Sequence, residues 1–139
     1  MTRNRRSAKA AGQRMESAVE DYLQWALQDG RIMRLRLHGS RDVGDIGNVM
    51  LRGMPACIEV KNTTVMDVAG HLHEAAVEAG NMDSPYPIVV QKRRGIGIDT
   101  REGTGRQLVL MTLETFARIC NDGLPLGPEE EEWLGPEEE

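Results

Sequence analysis

Two charged residues interrupt an apolar run near the middle of the chain. The run is Cys57-Ile58-Glu59-Val60-Lys61-Asn62. If it forms a strand, Glu59 and Lys61 project from one face, about 6.5–7 Å apart, and Ile58 and Val60 point into a core. A strand that only filled a core would have no reason to carry these charges, because buried charges usually serve a function. The sequence therefore predicts a buried strand with one chemically active face.

A second acidic residue precedes this strand. Residues 44–51 also favour a strand, and a turn at residues 52–55 would make the two runs a hairpin. Adjacent antiparallel strands lie about 4.8 Å apart, which brings Asp45 within reach of Glu59. Two converging carboxylates repel each other unless a cation lies between them, and oxygen ligands suit Mg²⁺ or Mn²⁺. Lys61 would stand beside the ion, where its ammonium can assist an attacking water or stabilise charge on phosphorus.

Asp45, followed after thirteen intervening residues by Glu59-Val60-Lys61, resembles the PD-(D/E)XK nuclease motif, with Gly44 where the family often has proline. The chain most resembles the archaeal-type and phage Holliday junction resolvases. Their first helix begins with a glycine, followed four residues later by a metal-linked glutamate, and Gly12 and Glu16 have this spacing. The resemblance implies an α/β, restriction-endonuclease-like fold. Helices would flank a central mixed sheet, in an αβββαβ core with an extra strand and a short helix.

The same resemblance implies a function. The expected protein is a metal-dependent, structure-specific DNA endonuclease that resolves Holliday junctions by symmetric phosphodiester cleavage, leaving 5′-phosphate and 3′-hydroxyl ends. Mg²⁺ or Mn²⁺ would be held by Asp45, Glu59 and Glu16, with Lys61 as the fourth catalytic residue. Two symmetric cuts need two active sites, so a homodimer is expected. Another nuclease of this fold, restriction-like or a recombination exonuclease, is one alternative, and a non-catalytic DNA-binding protein of the same fold is another.

Two assignments within the site have competitors. Asp42 lies three residues before Asp45, and Glu20 lies one helical turn after Glu16. The family spacing favours Asp45 and Glu16, and the sequence leaves both alternatives open.

The distribution of charge favours DNA as a partner despite a net charge of -5. Seven of the 22 acidic residues lie in residues 129–139, so 15 acidic and 17 basic residues remain in residues 1–128, a net charge of +2. Basic side chains that can neutralise phosphates lie near the N-terminus, including Arg14, and at Lys92, Arg93 and Arg94. By the family resemblance, Ser40 and Arg41 belong to a loop that contacts the DNA backbone.

The expected organisation is a basic flexible arm at residues 1–11, a nuclease domain at residues 12–124 and an acidic disordered tail at residues 125–139. The tail repeats Leu-Gly-Pro-Glu-Glu-Glu. No apolar stretch approaches the roughly 20 residues that span a bilayer, and the N-terminus lacks a secretory signal. The protein is therefore expected in the cytoplasm, as a bacterial or phage protein by its resemblance, with no membrane partner.

Helical periodicity predicts a first helix over residues 12–29 and a second that ends near Gly80. Thr64 and Asp67 have capping-box spacing before the second helix, whose predicted apolar stripe is Val65, Val68, Ala69, Leu72, Ala76 and Ala79. His71 and His73 project about 200° apart on that helix, too far to share one ion, and are expected at the surface or at its boundary. The glycine-rich residues 95–106 show no helix pattern. Cys57 and Cys120 are expected to be buried thiols.

Overall fold

A computed structural model describes residues 4–35, 43–128 and 136 of the chain. In them, a mixed, open sheet of six strands is flanked by helices, which confirms the predicted α/β class. The elements, in chain order, are α1 (Arg5–Ala26), β1 (Met33–Arg34), β2 (Ile46–Gly47), β3 (Met50–Leu51), β4 (Met54–Lys61), α2 (Val68–Asn81), β5 (Tyr86–Gln91), α3 (Arg101–Gly105), β6 (Leu108–Leu110) and α4 (Leu113–Cys120).

The strand order is β1-β2-β4-β5-β6, and β3 pairs with β4 beside β2. Strands β4 and β5 are parallel, with α2 as the connection between them, and the other pairs are antiparallel. The core joins α1 to one face of the sheet, where Met15 and Val19 pack with Ile58 and Val60. Helix α2 covers the opposite face, where the Cys57 Sγ lies 3.8 Å from the carbonyl of Ala75. The eight-residue strand β4 is therefore covered by helices on both sides.

The predicted hairpin is confirmed, although its first arm is divided into β2 and β3. Ile46 pairs with Ile58, so Asp45 lies opposite Glu59. Met50 and Leu51 pair with Pro55 and Met54. The reversal between β3 and β4 uses two residues with positive φ, Arg52 at 52° and Gly53 at 79°. The tight turn fixes the register of the hairpin, and this register brings the two acidic residues together.

The first helix begins seven residues earlier than predicted, and ends three residues earlier. Asn4 caps it by accepting a hydrogen bond from the backbone N–H of Ser7 at 2.8 Å. Residues 5–11, expected in a flexible arm, form its first two turns. Ala11 is buried there, which extends the apolar face beyond Gly12. The capping residue Asn4 lies among basic residues that are typical of an unstructured arm, so the sequence pattern alone does not indicate a helix start there.

The second helix also corrects the prediction. Its cap is Asp67, which accepts a hydrogen bond from the N–H of Gly70 at 3.0 Å, and Thr64 does not cap it. The buried residues are His71, Ala75 and Ala79, so the packed face is rotated from the predicted stripe, of which Val65 is 72% exposed. His71 is buried because its Nδ1 pairs with the Oε1 of Gln91 at 3.0 Å.

The glycine-rich connection contains a short helix that periodicity did not predict. Thr100 caps α3, and the Nε2 of Gln107 donates to the carbonyls of Ile96, Gly97 and Gly103. On the side of α1, the Arg101 guanidinium lies 4.2 Å from the centre of the Trp25 ring. The connection is therefore an ordered unit attached to α1. Cys120, expected to be buried, is exposed at the end of α4.

None of the helices formed by the described residues combines the length and the apolar character needed to cross a bilayer.

Gly44 offers a test of the close approach between β2 and β4. It has a φ of 89°, and a Cβ there would lie 3.1 Å from the carbonyl oxygen of Ile58. Gly53 has a similar φ of 79° but open space around it, so it is a matched control. Gly53→Ala should lower the free energy of unfolding by about 1 kcal/mol through backbone strain, and Gly44→Ala by about 1–2 kcal/mol more through crowding. Urea unfolding measures both, and equal losses would contradict the close approach.

Candidate functional site

Asp45 lies at the centre of the candidate site and is held by three hydrogen bonds. Its backbone N–H donates to the carbonyl of Ile58 at 2.7 Å, and its own carbonyl accepts from the N–H of Leu35 at 2.8 Å. Its carboxylate oxygen Oδ2 accepts from the backbone N–H of Val60 at 2.8 Å. The last bond holds the Asp45 side chain, which precedes β2, against the backbone of β4 at the residue after Glu59. Its geometry is thus set by strand pairing.

Glu16 reaches this aspartate from α1. Burial and the nearby Asp45 carboxylate raise the pKa of Glu16, while the Arg34 guanidinium opposes that shift. The Arg34 Nη2 lies 3.6 Å from the Glu16 carboxylate, and its Nη1 donates to the hydroxyl of Ser17 at 3.1 Å. The competitor Glu20 instead accepts a hydrogen bond from the backbone N–H of Arg34 at 2.5 Å. The structure therefore places Glu16 next to Asp45 and Glu20 on the β1 backbone. Asp42, the competitor for Asp45, lies outside the described residues.

Glu59 approaches Asp45 from the side of α2 and is only 7% exposed. Burial, together with the Glu78 and Asp45 carboxylates, raises the pKa of Glu59 to about 10. Its Oε2 is buried and has no hydrogen-bond partner among the described residues. A buried carboxylate oxygen without a donor is costly, so this atom calls for a proton or a cation.

Lys61 supplies the positive charge next to this group. Its ammonium lies 3.6 Å from the Oε1 of Glu59 and forms a close ion pair with the carboxylate of Glu74. Burial alone would lower the pKa of Lys61, but the hydrogen bond to Glu74 and the charges of Glu59, Glu74 and Asp45 outweigh it and raise the pKa above its ordinary value. The side chain is therefore a permanent cation at neutral pH.

Helix α2 contributes a row of polar residues that the sequence did not predict as part of the site. His71, Glu74 and Glu78 recur at helical spacing, and each contacts a polar residue of the sheet: Gln91, Lys61 and Glu59, respectively. The i, i+3, i+7 spacing was a usable signal. The alanines of the same helix nevertheless favour the prediction of an apolar face. Arg34 is expected to point outward from the first strand, but its guanidinium lies 3.6 Å from the Glu16 carboxylate, a contact that the sequence did not predict.

Cys57 lies on the same face of β4, under α2. Burial raises the pKa of its thiol to about 12, and the Glu78, Glu59 and Asp45 carboxylates act in the same direction. Because nucleophilic attack needs the thiolate, Cys57 carries no chemistry at this site.

The donor set of the site fits a divalent cation. The three nearby carboxylates of Glu16, Asp45 and Glu59 provide only oxygen ligands, as Mg²⁺ and Mn²⁺ prefer, and the described part of the chain offers no donor to the buried Glu59 Oε2. Within residues 4–35 and 43–128, no three histidine, cysteine, aspartate or glutamate side chains form a chelating group. Glu16 and Glu59 instead approach Asp45 from opposite faces of the sheet. Asp45 lies between these two residues, so it would bind a cation together with either of them.

The basic residues expected to bind DNA are placed in part. The backbone N–H of Lys92 donates to the carbonyl of Lys61 at 2.9 Å, so residues 92–94 begin at the site. Arg93 and Arg94 are exposed, and the Arg93 Nη1 donates to the carbonyl of Arg106 at 3.1 Å. Arg14 is exposed on α1, two residues before Glu16. Ser40 and Arg41 lie outside the described residues.

The raised pKa of Glu59 predicts how stability depends on pH in protein freed of divalent ions with a chelator. Between the ordinary pKa of 4.5 and the folded value of about 10, the folded state holds a proton that the unfolded state has lost. Rising pH should therefore lower the free energy of unfolding, by at most about 1.4 kcal/mol per pH unit. Glu59→Gln removes this carboxyl and should flatten the dependence measured by thermal or urea unfolding.

Glu114→Gln is the matched control, because Glu114 is an exposed helical glutamate, paired with Arg118 at 2.7 Å on α4. It should keep the wild-type pH dependence. A Glu59→Gln curve parallel to that of the wild type would contradict the assignment.

Comparison with known proteins does not place the chain in a family. No protein-family model, curated protein or solved structure matches it. What the site can do therefore has to be inferred from its own residues: a buried carboxylate, a strand-held aspartate, a helical glutamate and a fixed ammonium.

Proposed function

We propose that the protein is a metal-dependent DNA endonuclease with a restriction-endonuclease-like fold, and that its substrate is a branched DNA such as a Holliday junction. The observation that carries the proposal is the contact of Asp45 with Glu16 on one side and Glu59 on the other, with the Lys61 ammonium 3.6 Å from Glu59. A cluster of partly buried carboxylates lowers the stability of the fold, so its presence in a small protein indicates a functional site. Phosphodiester hydrolysis uses all its members.

Each residue has a role that follows from its environment. Asp45, Glu59 and Glu16 would hold Mg²⁺ or Mn²⁺, which when bound supplies Lewis-acid activation of water and of the phosphate. Lys61 has a raised pKa and therefore acts as a cation: it orients the attacking water or stabilises negative charge developing on phosphorus. A protonated lysine is not a general base, so the proton of the water has to leave by another route.

The basic residues next to the site give the DNA a path. Lys92 is hydrogen-bonded to the backbone of Lys61, and the exposed Arg93 and Arg94 continue from it. Arg14 lies on the same helix as Glu16, but two residues before it, so its side chain projects about 200° away and would reach a more distant phosphate. Lys92, Arg93 and Arg94 would neutralise phosphates next to the scissile bond.

Symmetric cleavage of a junction requires two such sites, and we propose a two-fold homodimer. Exposed apolar side chains are available for the contact at Met50 (52%), Met54 (36%) and Trp25 (50%). In the dimer, the distance between the two sites would match the separation of the two cleaved strands.

The first test is a cleavage assay on four-way junction, flap, single-stranded and linear duplex DNA, with Mg²⁺, Mn²⁺ or chelator. The wild type should cut the junction in preference to linear duplex of equal length, and only with a divalent ion. Glu59→Ala and Lys61→Ala should lower the cleavage rate by about 10²-fold or more, because each removes a group that stabilises the transition state. DNA binding measured in chelator should change little.

Glu114→Gln is a suitable control, since Glu114 pairs with Arg118 on α4, away from the site and from the residues proposed for the dimer contact. It should cleave like the wild type. Cleavage of linear duplex as fast as of the junction would favour a restriction-like nuclease or an exonuclease of the same fold. Binding without cleavage by the wild type in either metal would establish a non-catalytic DNA-binding protein.

Replacing Lys92, Arg93 and Arg94 together with glutamine should weaken binding uniformly across DNA sequences. The slope of log K against log salt concentration should decrease in magnitude by about 2–3, close to one unit for each phosphate that is no longer neutralised. Fluorescence anisotropy at several salt concentrations measures the slope. An unchanged slope would mean that these residues do not contact the phosphates.

A further inference from the structure

The Lys61 ammonium forms ion pairs with two acidic residues, Glu59 and Glu74, and it contacts them unequally. It forms a hydrogen-bonded ion pair with Glu74 on α2, whereas it lies 3.6 Å from the Oε1 of Glu59, beyond hydrogen-bond distance. The Lys61 side chain is 19% exposed and that of Glu59 is 10% exposed, while that of Glu74 is 56% exposed. The closest partner of the partly buried lysine is thus an exposed carboxylate, Glu74, at the rim of the site.

This unequal pairing has a consequence for Glu59. A lysine side chain is a flexible four-carbon stem, so its position is set by the acceptors around it. If Glu74 were removed, Glu59 would be the nearest carboxylate for the ammonium. The ammonium would then close onto Glu59 and occupy an oxygen that a divalent cation would otherwise use. The ion pair with Glu74 therefore keeps the Lys61 ammonium near Glu59 but not hydrogen-bonded to it.

We propose that Glu74 is a positioning residue, which holds the Lys61 ammonium off Glu59 and so keeps the Glu59 carboxylate available to a divalent cation. The inference rests on the proposed function, because it assigns the cation to Glu59. It adds a residue of α2 that touches neither DNA nor the cation and acts only through Lys61.

Direct binding of Mn²⁺, measured by isothermal titration calorimetry on the full chain without DNA, tests the role independently of cleavage. Glu74→Gln should weaken Mn²⁺ binding by about 3- to 10-fold, as expected from one competing, partly screened charge. In the cleavage assay, the Mn²⁺ concentration for half-maximal rate should rise by a similar factor. Because Glu74 is exposed, the melting temperature should stay close to that of the wild type.

Glu114→Gln is the matched control, because it also removes an exposed, ion-paired helical glutamate. It should bind Mn²⁺ like the wild type. If Glu74→Gln binds Mn²⁺ as tightly as this control, Glu74 has no positioning role.

A double-mutant cycle separates positioning from the simple loss of a negative charge near the site. In the Lys61→Ala background there is no ammonium to misplace, so adding Glu74→Gln should leave the Mn²⁺ affinity unchanged. A weakening as large as in the wild-type background would overturn the proposal, because Glu74 would then act through its field alone.

The outcomes also distinguish this inference from the proposed function. A wild type that binds no Mn²⁺ and cuts no DNA would end both. A wild type that binds Mn²⁺ and cuts DNA, with Glu74→Gln indistinguishable from Glu114→Gln, would end the positioning role and leave the nuclease proposal intact.

Discussion

The hydrogen bond from the backbone N–H of Val60 to the Asp45 carboxylate is the contact on which the site depends. It joins the Asp45 side chain to the main chain of the neighbouring strand β4. The pairing of β2 with β4 therefore also sets the position of the Asp45 carboxylate. A slip by one residue would move Asp45 and Glu59 to opposite faces of the sheet. The register is held by the β3–β4 turn and by Gly44, whose missing Cβ lets the strands approach. Strand pairing thus sets the positions of the acidic side chains at the site.

Opposing helices then give the two carboxylates that meet at Asp45 different environments. Glu16 comes from α1, where the Arg34 guanidinium offsets part of the effect of burial on its pKa. Glu59 faces α2, where Glu78 adds a further carboxyl and the pKa rises much further. Each of the two carboxylates thus lies 3.6 Å from a basic group, Arg34 for Glu16 and Lys61 for Glu59, but Glu59 is more deeply buried and has Glu78 as an additional acidic neighbour. Asp45 couples the two faces of the sheet.

Sequence reasoning was reliable where one local pattern decided the outcome. Alternation in β4 predicted which side chains enter the core, and the hairpin followed from the turn at residues 52–55. It failed where a polar residue had a partner far away in the chain. His71 is buried because of Gln91, twenty residues later, and the Glu20 side chain is used by the β1 backbone. Such pairings leave no periodic signal, so the pattern of α2 indicated an apolar cover although the helix carries a polar row over the site.

The setting of Cys57 has a consequence for chemical durability. A thiol with a pKa of about 12 has almost no thiolate at physiological pH. Peroxide and electrophilic alkylating agents therefore have almost no reactive thiolate to attack at Cys57. The exposed Cys120, at the end of α4, is the accessible thiol among the described residues. Oxidative damage or thiol-directed labelling would thus mark the periphery of the fold and spare the interior next to Glu59.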